Sequence, residues 1–257
     1  MLKCFDLQGK TAIITGAGGD LGKVFAKAIS QAGAQVFLLG RSLDKVAAVS
    51  RDIRESGGQS DCCSCDISNE ESINDAVAMC IAKYGKVDIL VNCAGYNRIN
   101  LSPMDTDTNT YNKVVQTNLI GTLNICKACA RDMMKRKWGR IVNISSISGL
   151  IVNKGVFGGS YEVTKAAMIM MTKTLAVEWG KEGICVNSIA PGYFATQSNK
   201  NFFAADETFY GKVLGMIPMG RLAEPEELIG ALILLCSQAA SYMQGECIVV
   251  DGGYTCW

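Results

Sequence analysis

The segment Tyr161-Glu162-Val163-Thr164-Lys165 sets a phenol and an ammonium four residues apart. On a helix, i and i+4 share a face, so the two polar ends point the same way. A neighbouring cation favours phenolate and draws a tyrosine pKa from about 10 toward neutrality, where it can give or take a proton. The pair gains weight from its position. It follows the apolar run GRIVNIS (139 to 145), from whose end Ser145 and Ser146 emerge.

A second segment has the composition of a phosphate seat. Gly16, Gly18 and Gly22 fall in TGAGGDLG (15 to 22), between the apolar run TAIIT and a helical pattern. Glycines there permit a tight turn and close backbone approach, while a helix N-terminus offers free N–H groups to a pyrophosphate. Where such a turn carries its middle glycine, this chain has Asp20 beside Leu21. Aspartate tolerates left-handed backbone and caps helices well. Asp20 is therefore expected to fill the turn, bond the first N–H groups of its own helix and weaken cofactor binding relative to glycine.

Three further run ends complete the set. Gly40-Arg41-Ser42 ends the second run without an acid, and Arg suits a ribose 2′-phosphate where an acid would suit the free hydroxyl. NADP(H) is accordingly expected over NAD(H). Asp66-Ile67 ends the third run, and Asn92-Cys93-Ala94-Gly95 the fourth, where small residues let a flat ring or ribose approach the backbone. Turns after strands favour Asp, Asn and Gly in any case, so a purely structural role stands beside the functional one.

The elements that must position these residues alternate along the chain. Strands are predicted at 11–15, 35–40, 60–66, 87–92, 139–145, 183–190 and 247–252, and helices near 21–32, 43–56, 69–84, 109–136, 160–181 and 224–237. The strands read as continuous apolar runs, as strands buried on both faces do. The alternation predicts an α/β fold, a doubly wound parallel sheet with helices on both faces, whose ligands lie at the carboxyl ends of the strands. With no linker or repeat, 1–257 is expected to be a single domain. The segment from about 194 to 219, mixing polar, aromatic and Gly residues, reads as a mobile insertion that closes over a substrate.

Composition excludes several function classes. Lys plus Arg number 25 against 24 Asp plus Glu, so the concentrated basic excess of a nucleic-acid binder is absent. No run approaches the ~20 apolar residues of a membrane span, and the N-terminus lacks a signal-peptide core. A soluble, cytoplasmic protein is expected, with neither nucleic acid nor membrane as partner. The chain has 12 cysteines and no histidine. The two C-x-x-C pairs, Cys62/Cys65 and Cys126/Cys129, lie too far apart for a zinc ribbon, so buried free thiols and no metal are expected. Lacking histidine, the chain also lacks Ser-His-Asp chemistry and His-based zinc hydrolysis.

Taken together, TGxxxxLG, Asp66, NCAG, Asn118 in QTNLIG, ISSISG (144 to 149), YEVTK and PGYFAT (191 to 196) resemble the short-chain dehydrogenase/reductase family over essentially the whole chain. The resemblance implies a Rossmann fold and a homotetramer or dimer. It implies Tyr161 as proton donor or base, with Lys165 lowering its pKa and holding the nicotinamide ribose. Ser146, with Ser145 as runner-up, would bond the substrate oxygen. Asn118 would hold a water in a proton relay, or serve as a helix-kink asparagine bonded to backbone. Gly16, Leu21 and Gly22 would line the pyrophosphate, Asp66 and Ile67 the adenine, and Asn92, Ala94 and Gly95 the riboses. Pro191, Gly192 and Thr196 would seat the carboxamide end.

The spacing from Ser146 to Tyr161 is fifteen residues, which predicts an enlarged loop beside a small-molecule substrate. Residues expected to face that substrate are Tyr96, Asn97, Arg98, Ser148, Asn153, Lys154, Tyr193, Gln197 and Asn199. This polar set suits a sugar, polyol or sugar acid, and the chain is similar to family members of the gluconate 5-dehydrogenase type. Two alternatives are 3-oxoacyl thioester reduction and a non-catalytic cofactor-binding module.

Overall fold

Apolar residues alternate between two faces in the central strands, and each face carries its own core. The computed structural model describes residues 2–96, 102, 104–153 and 159–257. Seven strands, β1 (Thr11–Thr15), β2 (Gln35–Gly40), β3 (Ser60–Ser64), β4 (Ile89–Asn92), β5 (Gly139–Ile144), β6 (Ile184–Pro191) and β7 (Cys247–Val250), form one sheet in the order β3-β2-β1-β4-β5-β6-β7. Every pairing is parallel.

Period two sends Ile14, Leu38, Val91 and Val142 to one face and Ile13, Phe37, Leu90 and Ile141 to the other. The first face is covered by α1 (Asp20–Gln31), α2 (Leu43–Glu55) and α9 (Ile229–Cys236) through residues such as Phe25, Ile53 and Leu232. The second is covered by α3 (Glu70–Tyr84), α5 (Thr122–Arg136) and α6 (Ser160–Trp179) through Ile73, Cys129 and Leu175. The strand order reverses between β1 and β4, which opens a crevice at their carboxyl ends.

Two helices differ from the sequence expectation. The stretch expected as one helix over 109–136 is α4 (Thr108–Val115), a π-helical turn over Gln116–Gly121, and then α5. Gly121 packs on the backbone after β3, where a Cβ would stand 2.3 Å from the Ile67 carbonyl oxygen. The last predicted helix begins as a 3-10 turn, Pro225–Leu228, with Glu224 and Glu227 forming a capping box. Residues 194–219 carry α7 (Gln197–Ala204) and α8 (Glu207–Met216), capped by Thr196 and Asp206. They pack as an aromatic lobe in which Phe202, Phe203, Phe209 and Tyr193 meet tilted, edge-on or stacked.

All twelve cysteines are free thiols, most of them within the two cores. Burial pushes Cys80 and Cys126 up to about 12, which leaves them protonated and inert at neutral pH. Among the described residues no cluster could hold a metal ion, and no helix is long and apolar enough to cross a membrane.

Candidate active site

The glycine turn is shaped by two close approaches. Gly16 has φ +66°, and a Cβ on it would lie 2.8 Å from Ala94, while one on Gly22 would lie 2.2 Å from the Gly16 carbonyl oxygen. Only glycine fits both places. Thr15 Oγ1 accepts the N–H groups of Cys93 at 3.1 Å and Ala94 at 3.0 Å, tying the exit of β4 to the exit of β1. The turn, Arg41, Asp66, Ile67, Ala94, Gly95, Ser146, Tyr161, Lys165, Pro191, Gly192 and Thr196 all line one cavity of about 450 Å³. That size lies within the range of roughly 300–1,000 Å³ usual for ligand sites.

The N-terminus of α1 opens on this cavity. Its N-cap is Gly19 and no side chain caps it, so its leading amides are available to an anion. Here the expectation for Asp20 is corrected. Asp20 follows the N-cap, and its carboxylate turns from the leading amides of its own helix to accept the Gln197 N–H at 2.7 Å and, from one turn along, Lys23 Nζ at 3.0 Å.

Arg41 is exposed, forms no ion pair among the described residues, and lies over the Tyr96 ring at 5.4 Å from its centroid. Asp66 is committed locally. Burial opposes its charge, but the Ser68 N–H at 2.9 Å and hydroxyl at 2.7 Å, with Arg41 nearby, hold its carboxyl below the usual range.

Tyr161 and Lys165 stand on one face of α6, with the Lys165 ammonium 5.6 Å from the Tyr161 ring centroid. Lys165 Nζ donates to the Ile144 carbonyl at 2.7 Å, and burial pushes its pKa down to about 8. Its neighbour Cys93 favours the ammonium only as thiolate, yet burial pushes that thiol up to about 12. At neutral pH Lys165 is therefore a desolvated cation held by the Ile144 carbonyl, with no counter-charge from Cys93.

The two candidate serines part company. Ser145 donates its hydroxyl to the Ile189 carbonyl at 2.8 Å, spending its proton on β6. Ser146 Oγ accepts the Ser148 N–H at 3.1 Å and keeps its proton for another acceptor.

Asn118 sits in the π-turn and is fully buried. Its amide clamps Tyr96, accepting the backbone N–H at 2.7 Å and donating to the carbonyl at 3.1 Å. It also reaches Thr164 Oγ1 at 3.3 Å, and Thr164 in turn bonds the Tyr161 carbonyl at 2.9 Å. One side chain thus links the β4 exit to the helix that carries the phenol.

Several sequence candidates do not line the cavity. Asn92 is buried beneath it, donating to Asn143 Oδ1 at 2.9 Å. Gly18 packs against α2, where a Cβ would stand 2.8 Å from Lys45 Cβ, and Ser42 is the N-cap of that helix. Asn153 lies behind the lining, donating to Ser148 Oγ at 3.0 Å. Arg98, Asn97 and Lys154 lie outside the described residues. Tyr96, Ser148, Tyr193 and Asn199 do line the cavity, joined by Phe202 and Cys93, which sequence reasoning missed. Cys93 was visible inside the NCAG motif, whereas nothing local marks Phe202.

The family described as enoyl-(acyl carrier protein) reductase matches residues 16–255. Galactitol 2-dehydrogenase (L-tagatose-forming) of Cereibacter sphaeroides is 38% identical over 254 residues, covering 98% of each chain. A 3-oxoacyl-[acyl-carrier-protein] reductase of Aquifex aeolicus is 36% identical, over 96% of this chain and 98% of the relative. The crystal structure of a gluconate 5-dehydrogenase from Burkholderia cenocepacia, in complex with NADP and tartrate, superposes with a TM-score of 0.94 at 32% identity, covering 100% of this chain and 99% of that one.

Proposed function

The chain belongs to the short-chain dehydrogenase/reductase family of oxidoreductases, and from that premise we propose that it interconverts a secondary alcohol and a ketone on a sugar, polyol or sugar acid, with NADP(H) preferred over NAD(H). The observation that carries this reading is the convergence of Tyr161, Lys165 and Ser146 on the cavity that the glycine turn also lines.

The residues present fit a nicotinamide dinucleotide. The uncapped start of α1 suits the pyrophosphate, Arg41 a 2′-phosphate, Asp66 and Ile67 the adenine end, and Ala94 and Gly95 the riboses. Pro191, Gly192 and Thr196 suit the carboxamide end. The cofactor, when bound, supplies or accepts the hydride.

The chain's own part is the proton. In reduction, the Tyr161 O–H bond breaks as a new O–H bond forms on the substrate oxygen, and in oxidation the phenolate takes that proton back. Lys165 stabilises the phenolate by its charge and can bond a ribose hydroxyl. Ser146 donates to the substrate oxygen. Asn118 holds Tyr96 and, through Thr164, the turn of α6 bearing Tyr161. A proton relay through this region needs that arrangement fixed.

Substrate class is supported by the hydroxyl and amide groups that Tyr96, Ser148, Tyr193 and Asn199 bring to a mixed polar and apolar wall, and by relatives named for polyols and sugar acids. Tyr193 is a buried hydroxyl without a hydrogen-bond partner among the described residues, and Asn153 Oδ1 likewise lacks a donor. Of the two, Tyr193 lines the cavity and is suited to a hydroxylated ligand. The similarity to the Aquifex reductase favours 3-oxoacyl thioester reduction as the second reading.

A panel of galactitol, arabinitol, gluconate and an acetoacetyl thioester, read by nicotinamide absorbance, separates the two. Turnover on a carbohydrate is expected, and turnover confined to acyl thioesters would refute the substrate assignment. Arg41→Ala is expected to raise the NADPH dissociation constant about tenfold, the value of one charge-assisted bond at an exposed site, while leaving NADH within about twofold. Equal losses for both nucleotides in a fluorescence titration would remove Arg41 from the 2′-phosphate site.

A further inference from the structure

Asp20 stands in the turn assigned to the pyrophosphate, yet its carboxylate serves a different element. Oδ2 accepts the Gln197 N–H at 2.7 Å, from a residue 177 positions along the chain, and the neighbouring Ser198 N–H also favours the charged carboxylate. Oδ1 accepts Lys23 Nζ at 3.0 Å. Gln197 and Ser198 open α7, where leading amides have no acceptor within the helix. A carboxylate there also meets the positive end of the helix dipole. Thr196 Oγ1 accepts only the third amide, that of Asn199, at 3.2 Å. The first amide of α7 is therefore bonded by Asp20 and the third by Thr196.

The helix held this way is part of the substrate wall. Ser198, Asn199 and Phe202 line the cavity, and Phe202 continues into the aromatic packing of the lobe. The far end of the lobe is fixed independently: Tyr254 Oη approaches Met216 Sδ at 3.8 Å and Trp257 Nε1 donates to the Met216 carbonyl at 3.3 Å. Asp20 grips the near end, from the phosphate turn itself.

We propose that Asp20 is a positioning residue which fixes α7 over the reaction centre, so that one turn sets both the pyrophosphate seat and the substrate wall. The inference rests on the reading of this cavity as a nicotinamide site. A glycine at this position would have no side chain to reach α7. The carboxylate directs its charge at Lys23 and the α7 amides, so removing it is expected to disturb the lobe far more than the cofactor.

Hydrogen–deuterium exchange on the NADPH-bound protein tests this, comparing wild type with Asp20→Gly, Asp20→Asn and Gln197→Pro. Proline is tolerated at the first helical position, and Thr196, at φ −70° and ψ 156°, already has the backbone a residue before proline adopts. Gln197→Pro thus deletes the donor without touching the turn. Asp20→Gly and Gln197→Pro are each expected to speed exchange over 198–204 on the order of tenfold, the loss of a charge-assisted bond, with Asp20→Asn intermediate. Exchange in α1 and the sheet should stay unchanged. With a turned-over substrate, KM should rise severalfold more than kcat falls, and the NADPH dissociation constant should stay within about threefold of wild type.

Unchanged exchange over α7 in Asp20→Gly would overturn the proposal. So would accelerated exchange in α1 together with an unaffected α7 in Gln197→Pro, which would confine Asp20 to its own turn. If the wild type binds no nicotinamide nucleotide, the function proposed above fails. The same exchange comparison on the unliganded protein still reads the Asp20 contact separately.

Discussion

Tyr161→Phe is expected to lower turnover by about 10²–10⁴-fold, the usual contribution of a positioned acid or base, while the NADPH dissociation constant stays within about twofold. The variant keeps the ring that packs beside Lys165 and deletes only the hydroxyl. The chain has no histidine. Lys165 donates to the Ile144 carbonyl and Ser145 to that of Ile189, and Ser146 is an alcohol that bonds the substrate oxygen without titrating near neutrality, so among the described residues no second acid or base stands ready to take over the proton. Stopped-flow and steady-state absorbance, alongside a fluorescence titration of NADPH, separate loss of chemistry from loss of binding. Turnover within threefold of wild type would refute Tyr161 as the acid and base.

Lys165→Met should act in two directions at once. Activity should fall by at least about 10²-fold, because the charge that favours phenolate is gone. The NADPH dissociation constant should also rise if Lys165 is the ribose partner proposed above. Stability of the unliganded protein should move the other way. In the unfolded chain the ammonium titrates at its ordinary 10.5, and burial lowers it to about 8 in the folded state. Between those values the unfolded chain holds a proton that the folded one lacks, so this residue makes stability rise with pH from about 8 to 10.5. Below pH 8 the burial cost is fully present.

Replacing the ammonium by a thioether should therefore stabilise the unliganded protein at pH 7 by on the order of 1–3 kcal/mol, reduced by the lost bond to Ile144. The variant should also lose the rise above pH 8. Buried thiols such as Cys80 and Cys126 act with the opposite sign, because burial raises them from 9.0 to about 12. They destabilise the folded state as pH climbs above 9, which makes the difference between variant and wild type the quantity to follow by urea unfolding. A variant less stable than wild type at pH 7, with the rise retained, would contradict a costly buried ammonium.

The parts legible in the sequence are those governed by local pattern. Strands such as ILVN (89–92) carry apolar side chains to both faces, and such continuous runs announce a buried parallel sheet. The residues after them fall at the strand ends because the topology puts every carboxyl end on one side. What failed depends on side-chain direction or on distant contacts. Asn92 and Ala94 belong to one motif, yet the first points into the core toward Asn143 and the second lines the cavity.

The π-turn at Gln116–Gly121 has no signature in its residue types, and the close approach of Gly121 at its end to Ile67 is a contact between distant segments. In 194–219, Thr196 and Asp206 were readable as helix caps, but the mixed polar and aromatic pattern hid the period between them. The Asp20–Gln197 bond spans the sequence and needs the folded chain to exist.

The central claim is that Tyr161, Lys165 and Ser146 serve hydride exchange between a nicotinamide and the carbinol carbon of a carbohydrate. Its most direct test is isotope tracing with the keto forms of the same panel, L-tagatose, ribulose and 5-ketogluconate, incubated with NADPH deuterated at the transferring position of C4. One deuterium should appear on the reduced carbon of a polyol or aldonate for each NADPH consumed, and none should appear with Tyr161→Phe over the same time. Deuterium incorporated only into a 3-hydroxyacyl thioester, or into no product at all, would contradict the account.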